Sequence, residues 1–263
     1  MKYHIEFDIE LRKNPYKGKY FAFEGIDGCG KTTQVEIIKN YLLKKGKSVA
    51  VTSEPRKEGS AVGRLIHEIL QSRIKVPPQS LQYLYTAERI INHKEVVEPS
   101  LKNGKIVLSH RSLWSNVPYG MFDRGVINYD SPDTKLINIT QGLMSLYHQF
   151  IVPDITFYLR VSADTAMKRL KIMDKVKEVM YEKKEKLEKI ARGYEWQVKQ
   201  FPNHFVVIDG EKSAEEVTGE IKKLEARNPK SETIKKILNS NDRNVFNFVY
   251  RNSKQIQITE IQN

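Results

Sequence analysis

The chain has 263 residues, 40% of them hydrophobic, enough to bury a full core in one domain or in one domain with appendages. No stretch approaches the roughly 18 uninterrupted apolar residues of a membrane span, and MKYHIEFDIE carries charges where a signal peptide would be apolar, so no membrane partner and a cytoplasmic location are expected. The single cysteine, Cys29, excludes an intrachain disulfide and a cysteine metal cluster, while the net charge of +12 is compatible with nucleic acid, a membrane surface or a polyanionic small substrate.

Residues 3–11 alternate, with Tyr3, Ile5, Phe7, Ile9 and Leu11 on one side and His4, Glu6, Asp8 and Glu10 on the other, which predicts a half-buried strand. Asn14, Pro15 and Gly18 supply a turn before a short apolar run at 20–24, which ends in a glycine-rich loop. Residues 32–45 carry Val35, Ile37, Ile38, Leu42 and Leu43 at helical spacing and are closed by Gly46; residues 48–52 follow as a strand. Residues 61–71 and 79–101 read as helices. The short apolar runs at 105–108, 155–159 and 205–208 suit strands covered on both faces. Strands alternating with helices imply right-handed crossovers and an α/β fold in three layers, with a mainly parallel sheet of about five strands whose ligands bind beyond the carboxyl ends.

Residues 168–189 interleave lysines with Glu178, Glu182, Glu185 and Glu188 at spacings of three and four, the pattern of a solvated helix laced with ion pairs. Only Tyr181 brings a ring into that run, so a stacking platform for nucleic acid is not expected. The regular alternation stops after Ala226. The polar remainder leaves two readings: a strand through Ile256 and Ile258 that pairs with the first strand or with another subunit, and a partly disordered tail. The expected organisation is an appended strand at 1–18, a central domain at 19–226 and an appended tail at 227–263.

Gly25-Ile26-Asp27-Gly28-Cys29-Gly30-Lys31-Thr32 fits the GxxxxGK[ST] phosphate loop, with a strand before it and an amphipathic helix after it. Glycines let backbone amides turn inward around phosphate, and the helix N-terminus adds partial positive charge. Lys31 is placed to reach the terminal phosphates of ATP, and the hydroxyl of Thr32, followed by Thr33, can ligate magnesium. Cys29 occupies a tolerant position and is not expected to act as a nucleophile.

The string FEGIDGCGKTTQ at 23–34 closely resembles the opening of thymidylate kinases, which are P-loop nucleoside monophosphate kinases. Glu54-Pro55-Arg56, Tyr85-Thr86-Ala87-Glu88-Arg89 and NGKIVLSHR at 103–111 resemble later motifs of that family in matching order, and the likeness extends over residues 19–226. It implies transfer of the γ-phosphoryl of ATP to dTMP, a magnesium cofactor and a homodimer. The resemblance further implies that Arg56 and Arg111 hold the acceptor phosphate, with Glu54 and Asn116 in the same site. Tyr85 is implied to stack on the base, and Arg89 to contact the base edge. Tyr119 would crowd the place of a 2′-hydroxyl, and Asp27 would contact the sugar or the metal shell. Lys31, Arg111, Asp27 and Arg169 are the catalytic candidates.

Two positions depart from the family pattern. His110-Arg111 stands where the family has Asp-Arg, which removes a carboxylate that helps organise magnesium. Imidazole is a poor replacement, since magnesium prefers oxygen ligands. The acceptor is itself a phosphate and needs no general base, so a slower enzyme or a shifted metal requirement is expected rather than lost activity. The lid, placed at about 168–180, is lysine-rich; because Gly28 provides no cation from the loop, Arg169, Lys171 and Lys175 are candidates for neutralising the transferred group. His110-Arg111-Ser112 also resembles a segment of deoxynucleoside kinases, which phosphorylate a hydroxyl and need a base such as Glu54. A third reading is a nucleotide-binding protein whose catalysis is weak or lost.

Overall fold

The computed structural model describes residues 11–123, 149–172 and 184–226, together with residues 125, 142 and 146. Five strands, β1 (Lys19–Glu24), β2 (Val49–Ser53), β3 (Ile106–His110), β4 (Ile155–Arg160) and β5 (Phe205–Asp209), form one sheet in the order β2-β3-β1-β4-β5. All four pairings are parallel, so the sheet expected to be mainly parallel is wholly so among the described residues.

The strands are apolar on both faces because both are covered. Phe21 and Phe23 point to one side, where Phe23 and Phe157 pack with Ile38 and Leu42 of α1 (Lys31–Lys44) and with Ile221 of the last described helix (Ala214–Ala226). Tyr20 points to the other side, where it meets Val97, Leu101, Val107 and Ile151. Helix, sheet and helix make the three layers expected from the sequence.

On that second side, the span read as one helix at 79–101 is α3 (Pro78–Asn92), a π-helical turn (His93–Val97) and α4 (Glu98–Lys102) in succession. Glu88, Arg89 and Asn92 are buried at the end of α3, as are His93 and Val97 in the wide turn, which shifts the phase of the residues after it. Pro99, which has no N–H to offer the carbonyl four residues back, stands where the helix tightens again. Helix α2 (Ala61–Leu70) packs on α3, and α5 (Asn116–Asp123) follows a 3-10 turn that buries Trp114 against Phe201 and Phe205.

The lysine-rich run corrects one expectation. Residues 168–172 close α6 (Ala163–Ile172) and residues 184–189 open α7 (Lys184–Gln200), and the ammonium of Lys184 lies 2.6 Å from the carboxylate of Asp164. Twenty residues of one helix would hold those groups about 30 Å apart, so two neighbouring helices replace the single one. The last described helix becomes α8. Lys175 lies outside the described residues, as do the leading strand at 3–10 and the tail at 227–263. Residues 11–18 are packed on the domain. Arg12 bridges to Ile151, its guanidinium lies 2.9 Å from Glu98, and Asn14 closes the expected turn by accepting from the amide of Tyr16 at 3.0 Å. Among the described residues, no helix is long and apolar enough to cross a membrane.

Strand register delivers the site. Ser53, His110 and Phe23 stand side by side across β2, β3 and β1, so the residues that follow, Glu54, Arg111 and Glu24, emerge on one rim. Strand β1 is central, with the chain turning from it toward β3 and β2 on one flank and β4 and β5 on the other. Its carboxyl end is therefore the crevice where ligands of such sheets bind.

Candidate active site

The glycine-rich loop leaves β1 and ends at Gly30, whose φ of 99° lets the chain turn into α1. Gly28 has a φ of 83°, and a Cβ there would lie 2.5 Å from the carbonyl oxygen of Ala166 in α6. No side chain fits between loop and α6, so a cation for the transferred group cannot come from position 28. Lys31 is buried and donates to the carbonyls of Gly25 and Ile26, each at 2.9 Å, with Asp27 at 3.8 Å. Burial and the charge of Arg111 pull its ammonium below the usual lysine value. Cys29 is buried, its sulfur 3.6 Å from the Lys31 ammonium.

Arg111 is the hub of the opposite wall. Its φ of 75° is left-handed, a conformation that costs a non-glycine residue about 1–2 kcal/mol and recurs where surrounding contacts over-determine a functional residue. One guanidinium nitrogen donates to Asp27 at 2.5 Å and to the Tyr119 hydroxyl at 2.7 Å. The other donates to Gly25 O, Ser115 Oγ and the Tyr194 hydroxyl, each at 3.2 Å. Burial disfavours this charge, but Tyr119, Asp27, Tyr194 and Glu24 hold Arg111 protonated well above its ordinary value. Burial alone would raise the Asp27 carboxyl; Arg111 and Lys31 hold it below the usual carboxylate range.

Next to this wall lies a second pair. Glu54 accepts from Arg89 at 2.5 Å and from Asn92 at 3.4 Å, while Arg89 also donates to Ser112 O and to Asn116 Oδ1, each at 3.1 Å. Burial pushes Glu54 up to about 7 even with Arg89 beside it.

A cavity of about 710 Å³ joins the two regions. Its wall includes Asp27, Gly28, Gly30, Lys31, Thr32 and Thr33 on the loop side, and Glu54, Tyr85, Arg89, Arg111, Asn116 and Tyr119 on the other. Tyr85 and Arg89, four residues apart on α3, share one helix face as their spacing requires. Arg169 of α6 reaches the same wall, whereas Lys171 does not. Gly25, Ile26 and Cys29 form the loop without lining the cavity. Arg56 is the substrate-site candidate kept off the wall: it is held by Glu88 and Glu95, each at 2.9 Å, and one guanidinium nitrogen is buried without a hydrogen bond.

His110 lines the cavity as well. Burial and the charges of Lys31 and Arg111 push it down to about 3, so it is a neutral imidazole. No cluster of three His, Cys, Asp or Glu side chains suited to a metal occurs among the described residues. Magnesium does not need one. It is commonly held by one or two protein oxygens together with phosphate oxygens and waters, and the Thr32 hydroxyl and Asp27 carboxylate on the cavity wall are oxygen donors that would fit such a set.

Comparison with known proteins agrees with this arrangement. The family described as Thymidylate kinase matches residues 23–221. The chain belongs to the thymidylate kinase family. It is 35% identical over 199 residues to a thymidylate kinase of Thermoanaerobacter sp. (strain X514), an alignment covering 74% of this chain and 90% of that one. It is 37% identical over 205 residues to a thymidylate kinase of Fervidobacterium nodosum, covering 78% and 97%. A thymidylate kinase of Exiguobacterium sp. is 30% identical over 208 residues, covering 78% and 92%.

Sequence reasoning did not single out three residues of the site: Glu24, Ser115 and Tyr194. Glu24 closes an otherwise apolar strand, and Tyr194 lies 83 positions from the Arg111 that it touches. The one available signal was a carboxylate placed directly before a phosphate loop.

Glu54 gives a pH prediction. The folded protein holds this proton up to about 7, against 4.5 for an ordinary glutamate, so folding takes up a proton between those values. The contribution favours the folded state below pH 4.5 and is lost as the pH rises to about 7. Relative to Glu54→Gln, the parent protein is therefore expected to lose up to about 3 kcal/mol across that interval, read from denaturant unfolding at several pH values. Removing the partner of Arg89 offsets the two curves without changing their relative slope. Parallel curves would contradict the assignment.

Proposed function

We propose that the chain phosphorylates dTMP to dTDP with ATP as donor. The observation that carries this reading is the single cavity in which a phosphate loop faces a wall bearing Arg111, Tyr119, Tyr85 and Arg89. Family membership supports the same activity.

In this reading the loop amides and Lys31 hold the β- and γ-phosphates of ATP. Arg111 gives up part of its contact with Asp27 and presents the 5′-phosphate of dTMP in line with them. A guanidinium suits the task because its planar fork grips phosphate through paired N–H groups. Tyr85 stacks on the thymine, Arg89 reaches its edge beside Asn116, and the Tyr119 ring, packed under Arg111, excludes a 2′-hydroxyl. An acceptor phosphate oxygen bonds to the γ-phosphorus as the bond to the β-bridging oxygen breaks, leaving ADP. The acceptor has a second pKa of about 6 and is ionised near neutrality, so no base is required. Arg169 faces the transferred group from α6. Thr32 would hold magnesium, with Asp27 near its shell, and the ion would supply neutralisation of phosphate charge.

The nucleoside-kinase alternative asks for a carboxylate free to take a proton from a hydroxyl. Glu54 is committed to Arg89 and Asp27 to Arg111, which supports the monophosphate as acceptor. We also propose a homodimer. Exposed Leu65 on α2, with Tyr83 and Ile90 on α3, supports these helices as its apolar face.

A coupled assay of ADP release tests the activity across deoxynucleoside monophosphates and deoxythymidine. Turnover with dTMP and none with deoxythymidine is expected, and the reverse preference would overturn the reading. His110→Asp returns a carboxylate beside Lys31 and Arg111. It is expected to lower the magnesium concentration giving half-maximal rate several-fold and to raise kcat, about threefold to tenfold. A fall in kcat at every magnesium concentration would mean that the neutral imidazole contributes to turnover.

A further inference from the structure

We propose that Glu24, a carboxylate buried behind the acceptor wall, is a positioning residue that sets the orientation of the Arg111 guanidinium through the hydroxyls of Ser115 and Tyr194. This rests on the reading that Arg111 meets the acceptor phosphate.

Glu24 is fully buried and does not line the cavity, so it touches neither substrate. It has no ion-pair partner among the described residues. Four donors converge on it instead. One carboxylate oxygen accepts from the amide and the hydroxyl of Ser112, at 2.7 and 2.8 Å. The other accepts from Ser115 Oγ at 2.6 Å and from the Tyr194 hydroxyl at 2.8 Å. Those two hydroxyls are the same ones that accept from Arg111 at 3.2 Å.

The direction of these bonds is what matters. A hydroxyl has one hydrogen and two lone pairs, whereas an ionised carboxylate only accepts. The two hydroxyls also lie 3.1 Å from each other, and when the acceptor-only carboxylate takes both hydrogens, the lone pairs of Ser115 and Tyr194 face the guanidinium. The carboxylate thus reaches Arg111 as two aligned acceptors, and its charge is among those keeping Arg111 protonated against burial. The Tyr194 ring cannot swing away: it stacks on Tyr158 with centroids 5.2 Å apart and meets Tyr119 edge-on at 6.5 Å. The relay therefore joins the end of β1, the turn after β3 and α7 around one guanidinium nitrogen. The other nitrogen, on Asp27 and Tyr119, is the edge that exchanges partners when phosphate arrives.

Glu24→Gln keeps the shape but puts an NH₂ in place of one carboxylate oxygen, so the two donors on that side lose their acceptor. Tyr194→Phe keeps the stacked ring and deletes one relay hydroxyl. Calorimetric titration of both variants with dTMP and with deoxythymidine separates orientation from stability. Each variant is expected to bind dTMP about tenfold more weakly while deoxythymidine affinity stays within about twofold. The double variant is expected to be little weaker than the poorer single one, because the two act in series. Equal weakening of both ligands, or unchanged affinities with only a lowered Tm, would overturn the proposal. If Glu24→Gln does not fold, Tyr194→Phe carries the same comparison. A parent protein binding the two ligands equally would overturn the Arg111 reading itself, and this inference with it; a parent that discriminates beside variants that still discriminate would overturn the relay alone.

Discussion

Every feature of the site follows from the need to pair charges taken out of water at one rim of a parallel sheet. Lys31, Arg89 and Arg111 are buried or nearly so, and so are Glu24 and Glu54, with Asp27 at the cavity edge. An unpaired ion in such a place costs several kcal/mol, so each is matched: Lys31 and Arg111 share Asp27, Arg89 takes Glu54, and Glu24 reaches Arg111 through two hydroxyls. The pairing gives more than solvation. It fixes where each cation points before any ligand is present, and a prearranged field needs little rearrangement as phosphoryl charge moves.

Much of this was legible in the sequence because it is local. The phosphate loop has a fixed spacing. Tyr85 and Arg89 share a helix face because four residues make about one turn, and short apolar runs between helical patterns mark strands covered on both sides. The parts that were not legible depend on long-range register. Nothing in YFAFE says that its final carboxylate meets Tyr194, and nothing in EPR says that Arg56 is claimed by Glu88 and Glu95. The run at 168–189 misled for a different reason: charges at spacings of three and four fit one helix or two neighbouring ones equally well. The π-helical turn at His93–Val97 was hidden too, because one extra residue per turn changes which apolar side chain faces inward without altering the composition.

The two departures from the family pattern have a common physical reading. Position 28 lies against the backbone of α6 and has no room for a side chain, while Arg169 of α6 places a cation on the cavity wall. At position 110 a neutral imidazole stands among Lys31 and Arg111, leaving the rim more positive by about one charge than a carboxylate there would. Such a rim favours polyanions and presents fewer oxygen ligands than a carboxylate at position 110 would.

The phosphate loop and the Arg111 wall line one continuous cavity, as two halves of a single site would. Calorimetry with a single ligand that joins the 5′ ends of thymidine and adenosine through a polyphosphate chain tests it most directly. One such ligand per chain is expected, bound at least about a hundredfold more tightly than either ATP or dTMP and displacing both. A ligand that binds no more tightly than ATP, and leaves dTMP binding intact, would contradict it.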